Sequence, residues 1–431
     1  MKLSVFQTIL LAVFGSLAIA GILIFSLVVS GGNQASIGPV TMWGTFDETV
    51  FKDLLGAADD IEKDISSVTY IQKDPATYMS GLTDAMASGV GPDLFILRQD
   101  YILRDSKKVA PVPYTFLSQS QFRDTFVEAA SPYLGTQGVL GIPIFVDPMV
   151  MYWNRDLLSG AGLAKPPQYW DELPGMVQKL VKRDDSGAIV KAAVSFGEYA
   201  NVQNAKDLLS LLILQAGGKI TRLDTDNGLV PALSAGVGGG GQAAESAIRF
   251  YTEFADPSKV TYSWNRSLPN SLAAFAAGDL ALYFGYASEV RTIAATNPNL
   301  NFAIAPVPQR KGAEGPTNVA RVYALATSRT GANPQGAMTV ASLMAGSQIG
   351  QLLSASFGIP SARRDVLAEN NEGDNPVIER EALIAQSWID PNPERTNAIF
   401  RAMIEGVVSG SVRLSDAIQR ADQEMAQLIG Q

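Results

Sequence analysis

Histidine and cysteine are both missing from this chain of 431 residues. Their absence excludes a disulfide framework, a zinc site built on sulfur or imidazole, a Ser-His or Cys-His nucleophile and an imidazole pH switch. Whatever chemistry remains would have to run on carboxylates, lysine or tyrosine. It also excludes a lipid carried on an N-terminal cysteine. Positive charge is short as well. Against 42 Asp and Glu stand 33 Lys and Arg, a net charge of −9, and no basic stripe is available to displace counterions from a polyanion. Nucleic acid is therefore not expected as a partner.

Charge of either sign is absent from one long stretch. After Lys2 no charged residue appears until Asp47, and residues 3–29 are almost wholly apolar. About 20 helical residues span a bilayer core, so the length suffices. Ala18-Ile19-Ala20 has the small-residue look of a cleavage site. Cutting there would leave Gly21 to Val29 apolar at the new terminus, and a signal core is only ~7–15 residues long. We read residues 1–30 as an uncleaved single-pass membrane anchor, with a cleaved signal as the alternative. Residues 31–39 read as a flexible Gly/Ser/Asn linker. One lysine carries little information about orientation.

Beyond the linker the chain is globular in character, with 47% hydrophobic residues overall, and it is longer than one core usually covers. The most informative stretch runs from Gly138 to Leu158. An apolar segment, Gly141-Ile142-Pro143-Ile144-Phe145-Val146, meets an acidic turn at Asp147-Pro148 and enters a second apolar run, Met149-Val150-Met151-Tyr152-Trp153. Proline removes a ladder donor and fixes φ, so Pro143 and Pro148 suit a bounded crossover better than a central strand. Asn154-Arg155-Asp156-Leu157-Leu158, Gly162-Leu163-Ala164-Lys165-Pro166-Pro167 and Trp170-Asp171-Glu172-Leu173 follow in order. This ordered run resembles that of the family 1 extracellular solute-binding proteins of ABC importers, the maltose-binding-protein type. Ala87-Ser88-Gly89 with Pro92-Asp93, the Leu272 to Gly285 segment, Asn333-Pro334 and Gly358-Ile359-Pro360 match further recurrent segments of that family.

The resemblance implies an α/β, two-lobed periplasmic-binding-protein-like (type II) fold with hinge crossovers. The residue patterns agree with alternating helices and strands: strands over Val40 to Trp43, Val68 to Ile71 and Asp93 to Leu97, and a helix around Met79, Leu82 and Met86. We expect residues 40–146 plus 296–353 in lobe 1 and 147–295 plus 354–431 in lobe 2. Pro143 and Pro148 are expected at the hinge, with further returns near residues 290–300 and 350–360. The glycine tract Gly236 to Gly241 has no phosphate-loop lysine and reads as a surface loop.

Ligands of such sheets bind outside the strand carboxyl ends. A sugar offers C–H faces that cover an aromatic ring and hydroxyls that pair with carboxylates, amides and arginine. By resemblance, Trp43 and Asp47 fall on positions that bind ligand in maltose-binding relatives, Asp100 on a binding acid beyond Asp93, and Asp147 on a carboxylate that contacts sugar. Trp264, Tyr286, Tyr323 and Trp388 are further ligand-binding candidates on loops from both lobes. For each acid the competing role is a helix cap or a solvated loop charge, and for each ring it is ordinary packing. Two departures bear on the ligand. Ala287-Ser288 stand where the family has a tryptophan, and Leu97 where maltose receptors have an aromatic, so a malto-oligosaccharide does not carry over by resemblance.

The resulting expectation is a monomeric, membrane-tethered extracytoplasmic receptor with no cofactor, no metal and no catalytic residue. It captures a small-molecule carbohydrate by hinge closure and presents it to ABC permease subunits. A ligand-sensing receptor of the same fold is one alternative. A glycoside hydrolase running on two carboxylates is the other.

Overall fold

The computed structural model describes residues 37–226, 228–235, 240–369 and 376–430. The apolar stretch at 3–29 and most of the glycine tract lie outside these residues. Among the described residues no helix is long and apolar enough to cross a membrane.

Among the described residues there are twelve strands: β1 Val40–Gly44, β2 Val68–Gln72, β3 Leu94–Arg98, β4 Ile142–Asn154, β5 Lys182–Arg183, β6 Ile189–Val194, β7 Thr221–Leu223, β8 Leu229–Pro231, β9 Leu280–Tyr286, β10 Phe302–Ala305, β11 Asn318–Thr327 and β12 Ala385–Gln386. Ten of them form one sheet in the order β2-β1-β3-β11-β4-β9-β6-β5, with β10 on β4 and β12 on β11. β1, β2 and β3 run parallel, joined by the helices Glu48–Asp59 and Tyr78–Ala87. β3 is an apolar run with Leu94, Phe95, Ile96 and Leu97 all buried, as a strand covered on both faces requires.

Two separate cores flank this sheet. One gathers Val40, Phe51, Phe95, Phe145 and Val322; the other gathers Tyr152, Phe196, Ile213, Phe284 and Phe400. β4 belongs to both. Residues through Val146 pack in the first core and pair with β11; residues from Met149 pack in the second and pair with β9 and β10. The division of β11 is equally sharp, with Val319 in the second core and Ala320 in the first.

Three sequence expectations change here. β4 is an unbroken 13-residue central strand that runs through both prolines. The register with β11 shifts at Pro143, so that Ala324 faces Pro143 and Tyr323 faces Phe145; the bulge absorbs the missing donor. The segment expected to return to lobe 1 from residue 296 does not do so. β10 pairs with Met151 to Asn154 and its last residue, Ala305, packs in the second core, which places the second crossing at Val319 and Ala320. Residues 354–385 are expected in lobe 2, yet Ile359, Ala362, Leu367, Ala382 and Ala385 pack in the first core while Ile378 reaches the second, which places the third crossing after Ala385.

The crossings meet at Asn318, which is fully buried. Its amide donates to the Met149 carbonyl and to a Glu381 carboxylate oxygen, both at 2.7 Å, and its backbone N–H donates to Ile384. One residue, through its side chain and its backbone, thus ties the first, second and third crossings. Burial raises the Glu381 carboxyl from 4.5 to about 8, against the lowering effects of the Val307 amide and Arg380. A carboxyl that holds its proton more tightly when folded loses stability as pH rises between the unfolded and folded values. Urea denaturation should therefore show stability falling from about pH 4.5 to 8, and Glu381→Gln should flatten that slope. Asn318→Ala, which strands a buried carbonyl and a buried carboxyl, should cost about 2–4 kcal/mol in the same assay.

Candidate functional site

The helix Ala205–Gln215 begins at the edge of the gap between the lobes, and its start breaks two local rules. Asn204, its N-cap, is in the left-handed region at φ 58°, the one non-glycine residue with positive φ among those described. Lys206 puts a cation in the first helical turn, where the helix dipole disfavours it. Both are held by partners from elsewhere in the chain. The Asn204 amide donates to Glu289 at 2.8 Å and its oxygen accepts from Arg321 at 3.1 Å. Lys206 donates to the buried Asp390 at 2.6 Å, and that carboxylate holds the ammonium firmly charged despite its burial.

Arg321 is the centre of the arrangement. It interrupts the otherwise apolar β11 just beyond the second crossing, opposite Asp147 in register. Its guanidinium lies 3.9 Å over the Tyr286 ring at the end of β9 and donates to Asp207 at 3.0 Å. From lobe 1, Arg98 at the end of β3 holds Asp100 through two 2.6 Å bonds. Burial pushes the Asp100 carboxyl up, but Arg98 outweighs it and holds the group below the ordinary carboxylate range. Together with Tyr101, Tyr199, Glu394, Asn397 and Arg401, these groups line a cleft of about 360 Å³ with walls from both lobes. It narrows inward past Gln99, Tyr286 and Trp388.

Two ion pairs span the gap: Arg321 to Asp207, and Arg104 to Glu394 at 2.8 Å. Arg291 adds a bond to the Ser356 carbonyl at 3.2 Å. The lobes are drawn together in this structure. Among the described residues no group of three or more His, Cys, Asp or Glu could hold a metal ion.

Of the residues singled out from sequence, the structure brings Asp100, Tyr286 and Trp388 together at this cleft. Trp388 stacks on Phe400 and has the Lys206 ammonium 5.7 Å from its ring centre. The others sit elsewhere. Trp43, at the end of β1, has Lys73 3.6 Å over its ring and a buried Nε1 without a hydrogen-bond partner. Asp47 is exposed and caps the helix Glu48–Asp59, accepting from the Val50 amide at 3.0 Å. Tyr323 meets Phe46 edge-on within an aromatic group that includes Phe145 and Phe357. Trp264 is fully buried in the second core with its indole N–H on Asn201 at 3.1 Å.

Asp147 is 1% exposed, and both its oxygens are taken by Ser288, the backbone N–H at 3.0 Å and the hydroxyl at 2.6 Å. It therefore ties the first crossing to the start of the helix Glu289–Thr296, and burial lifts its pKa to about 6 even against those bonds. Sequence reading missed Arg98, Lys206, Asp207, Arg321 and Asp390. A charge inside the apolar β11 run and a lysine in a first helical turn were signals available for two of them.

A two-lobed sheet with a polar cleft at the joint defines a protein that holds a solute between its halves. The family profile described as bacterial extracellular solute-binding protein matches residues 48–351, well over half of the chain. The chain belongs to that family. Its fold is shared by the GacH receptor of Streptomyces glaucescens (TM-score 0.70, 17% identity, 91% of this chain and 98% of that one). It is shared too by a cyclic alpha-maltosyl-1,6-maltose binding protein from Arthrobacter globiformis (0.74, 17%, 91% and 99%) and by the sugar-binding protein MalE from Xanthomonas citri (0.72, 18%, 91% and 97%). Binding proteins of Brucella abortus and Brucella suis are 29% identical over 100 residues, 23% of this chain, so the match spans about a quarter of those relatives.

Because Asp147 serves the joint from inside, Asp147→Ala should lower unfolding stability by about 1–3 kcal/mol by removing the acceptor of two half-buried Ser288 donors. The measurement is chemical denaturation of the purified chain at pH 7.

Proposed function

We infer that this chain captures a neutral, hydroxyl-rich solute, a sugar or short oligosaccharide, between its lobes and delivers it to the permease of an ABC importer. The observation that carries this reading is the cleft, in which cations, carboxylates and amides from both lobes face one gap beside the tyrosines Tyr101 and Tyr199. Each carboxylate there is already matched by a cation: Asp100 by Arg98, Asp207 by Arg321, Glu394 by Arg104. A balanced set of donors and acceptors satisfies hydroxyls, which both give and accept bonds, without demanding a charged ligand. The maltose-type and other sugar ligands named for the structural neighbours support the same class.

Binding, not catalysis, is the role inferred. A glycosidase needs one carboxyl with a raised pKa beside a free carboxylate; Asp100, held low by Arg98, does not fill the acid's role, and Asp390, which burial raises, has both oxygens taken by Lys206, Thr396 and the Asn392 amide. Tyr286 and Asp207 belong to lobe 2, and Arg321 and Asp100 to lobe 1. A ligand touching both sets stabilises the closed arrangement by its differential affinity. The apolar residues 3–29, in this reading, tether the body to the outer face of a membrane, with 31–39 as spacer. Trp43, Asp47 and Tyr323 sit on the lobe 1 side, where a longer oligosaccharide would extend. Pro143 and Pro148 mark the strand that flexes.

A calorimetric screen of the chain against mono- and oligosaccharides should find a ligand returned chemically unchanged, with small-angle scattering showing a smaller radius of gyration when it is bound. Arg321→Ala should weaken that ligand at least tenfold, about 1.4 kcal/mol, with the fold retained by circular dichroism. Saccharides that neither bind nor compact the chain would remove this reading.

A further inference from the structure

A second cavity, of about 780 Å³, opens elsewhere along the joint and shares Gln386, Ser387 and Trp388 with the inner end of the cleft. It lies within the range that small-molecule sites occupy. Lobe 1 contributes Ser131, Pro132 and Leu134, and lobe 2 contributes Leu214, Ile220 and Leu229; the third crossing closes it at Trp388 and Ile389. Leu223, an exposed leucine at 52%, stands in its wall.

Its charge is out of keeping with the molecule. In a chain of net charge −9, three cations line this cavity, Arg123, Lys219 and Arg222, and no acid does. Among the described residues none of the three is in an ion pair, whereas in the solute cleft Arg98, Lys206 and Arg321 each face a carboxylate and Arg401 lies over the Tyr199 ring. The nearby acids along the chain are engaged elsewhere: Asp124, next to Arg123, accepts from the Ser120 hydroxyl at 3.3 Å. Glu128 accepts from Ser131 at 2.8 Å and faces Arg364, and Asp224 accepts from the amides of its own turn. Unpaired cations around an apolar, partly enclosed floor are complementary to a molecule with an apolar body and one anionic end.

We propose that this cavity is a binding site for a small amphiphilic organic anion, a medium-chain carboxylate being the simplest example, seated with its chain on Leu134, Leu214 and Trp388 and its carboxylate among Arg123, Lys219 and Arg222. The site adjoins the solute cleft at Trp388 but has its own cations, Arg123, Lys219 and Arg222, none of which lines that cleft, and its existence does not rest on what the cleft binds. Because its walls come from both lobes, its occupancy is linked to the arrangement of the lobes.

The probe is 10-bromodecanoate, whose bromine quenches tryptophan on contact, titrated into the full chain below its aggregation concentration. The apolar stretch 3–29 contains no tryptophan, so binding there is silent. Saturable quenching is expected, lost in Trp388→Phe. In the variant R123Q/K219Q/R222Q, whose changed side chains are exposed, half-saturation should rise at least tenfold with the melting temperature unchanged. Arg123→Lys with Arg222→Lys, which keeps the charge, should restore it to within threefold. Quenching that survives Trp388→Phe, an unchanged half-saturation in the glutamine variant, or equal affinity for the neutral 10-bromodecanol would each overturn the proposal.

Discussion

The structure depends on one buried amide. Asn318 holds the Met149 carbonyl, the Glu381 carboxyl and, through its backbone N–H, the Ile384 carbonyl at a single point where β4, β11 and the chain at β12 pass from one core to the other. Both cores are complete without it, since each has its own aromatic and aliphatic cluster. What Asn318 sets is how the two halves are joined. A joint made of hydrogen-bonded strands transmits rotation about itself while resisting shear, because sliding the halves would break the ladder and small rotations need not.

Everything polar in the molecule's middle is arranged around that joint. Asp147 and Ser288 tie β4 to the loop after β9; Glu289 and Arg321 clamp the left-handed Asn204; Arg321 covers Tyr286 and reaches Asp207. The side chains a ligand would meet are thus bonded to those that set the joint. Burying so many charges costs solvation, and each is offset by a fixed partner, which leaves a cleft whose groups are already oriented. Asn204 carries the backbone strain that this arrangement requires.

Much of the fold was legible in the residues. The continuous apolar run of β3, the strands from Val40 and from Val68, and the one-face spacing of Met79, Leu82 and Met86 all report local physics. Pro143 and Pro148 did mark the passage between cores, but a bulge opposite Tyr323 kept the strand whole, and a bulge leaves no signature in a residue string. The return at residue 296 was misplaced because β10 is a short strand of ordinary composition whose partner, β4, is some 150 residues away along the chain.

The site divides along the same line. Sequence alone determined the class of molecule: no thiol or imidazole chemistry, an acidic body after an apolar N-terminal stretch, two α/β halves and a joint near Pro143 to Pro148. Only the tertiary structure decided which side chains share the gap. It drew in Arg98, Lys206, Asp207 and Arg321, kept Asp100, Tyr286 and Trp388, and assigned Asp147 and Trp264 to the interior and Asp47 to a helix cap. The reason is that a cleft between two cores is built from residues distant in sequence, and whether a charge faces solvent, a partner or a ligand is set by what the other half of the molecule places opposite it.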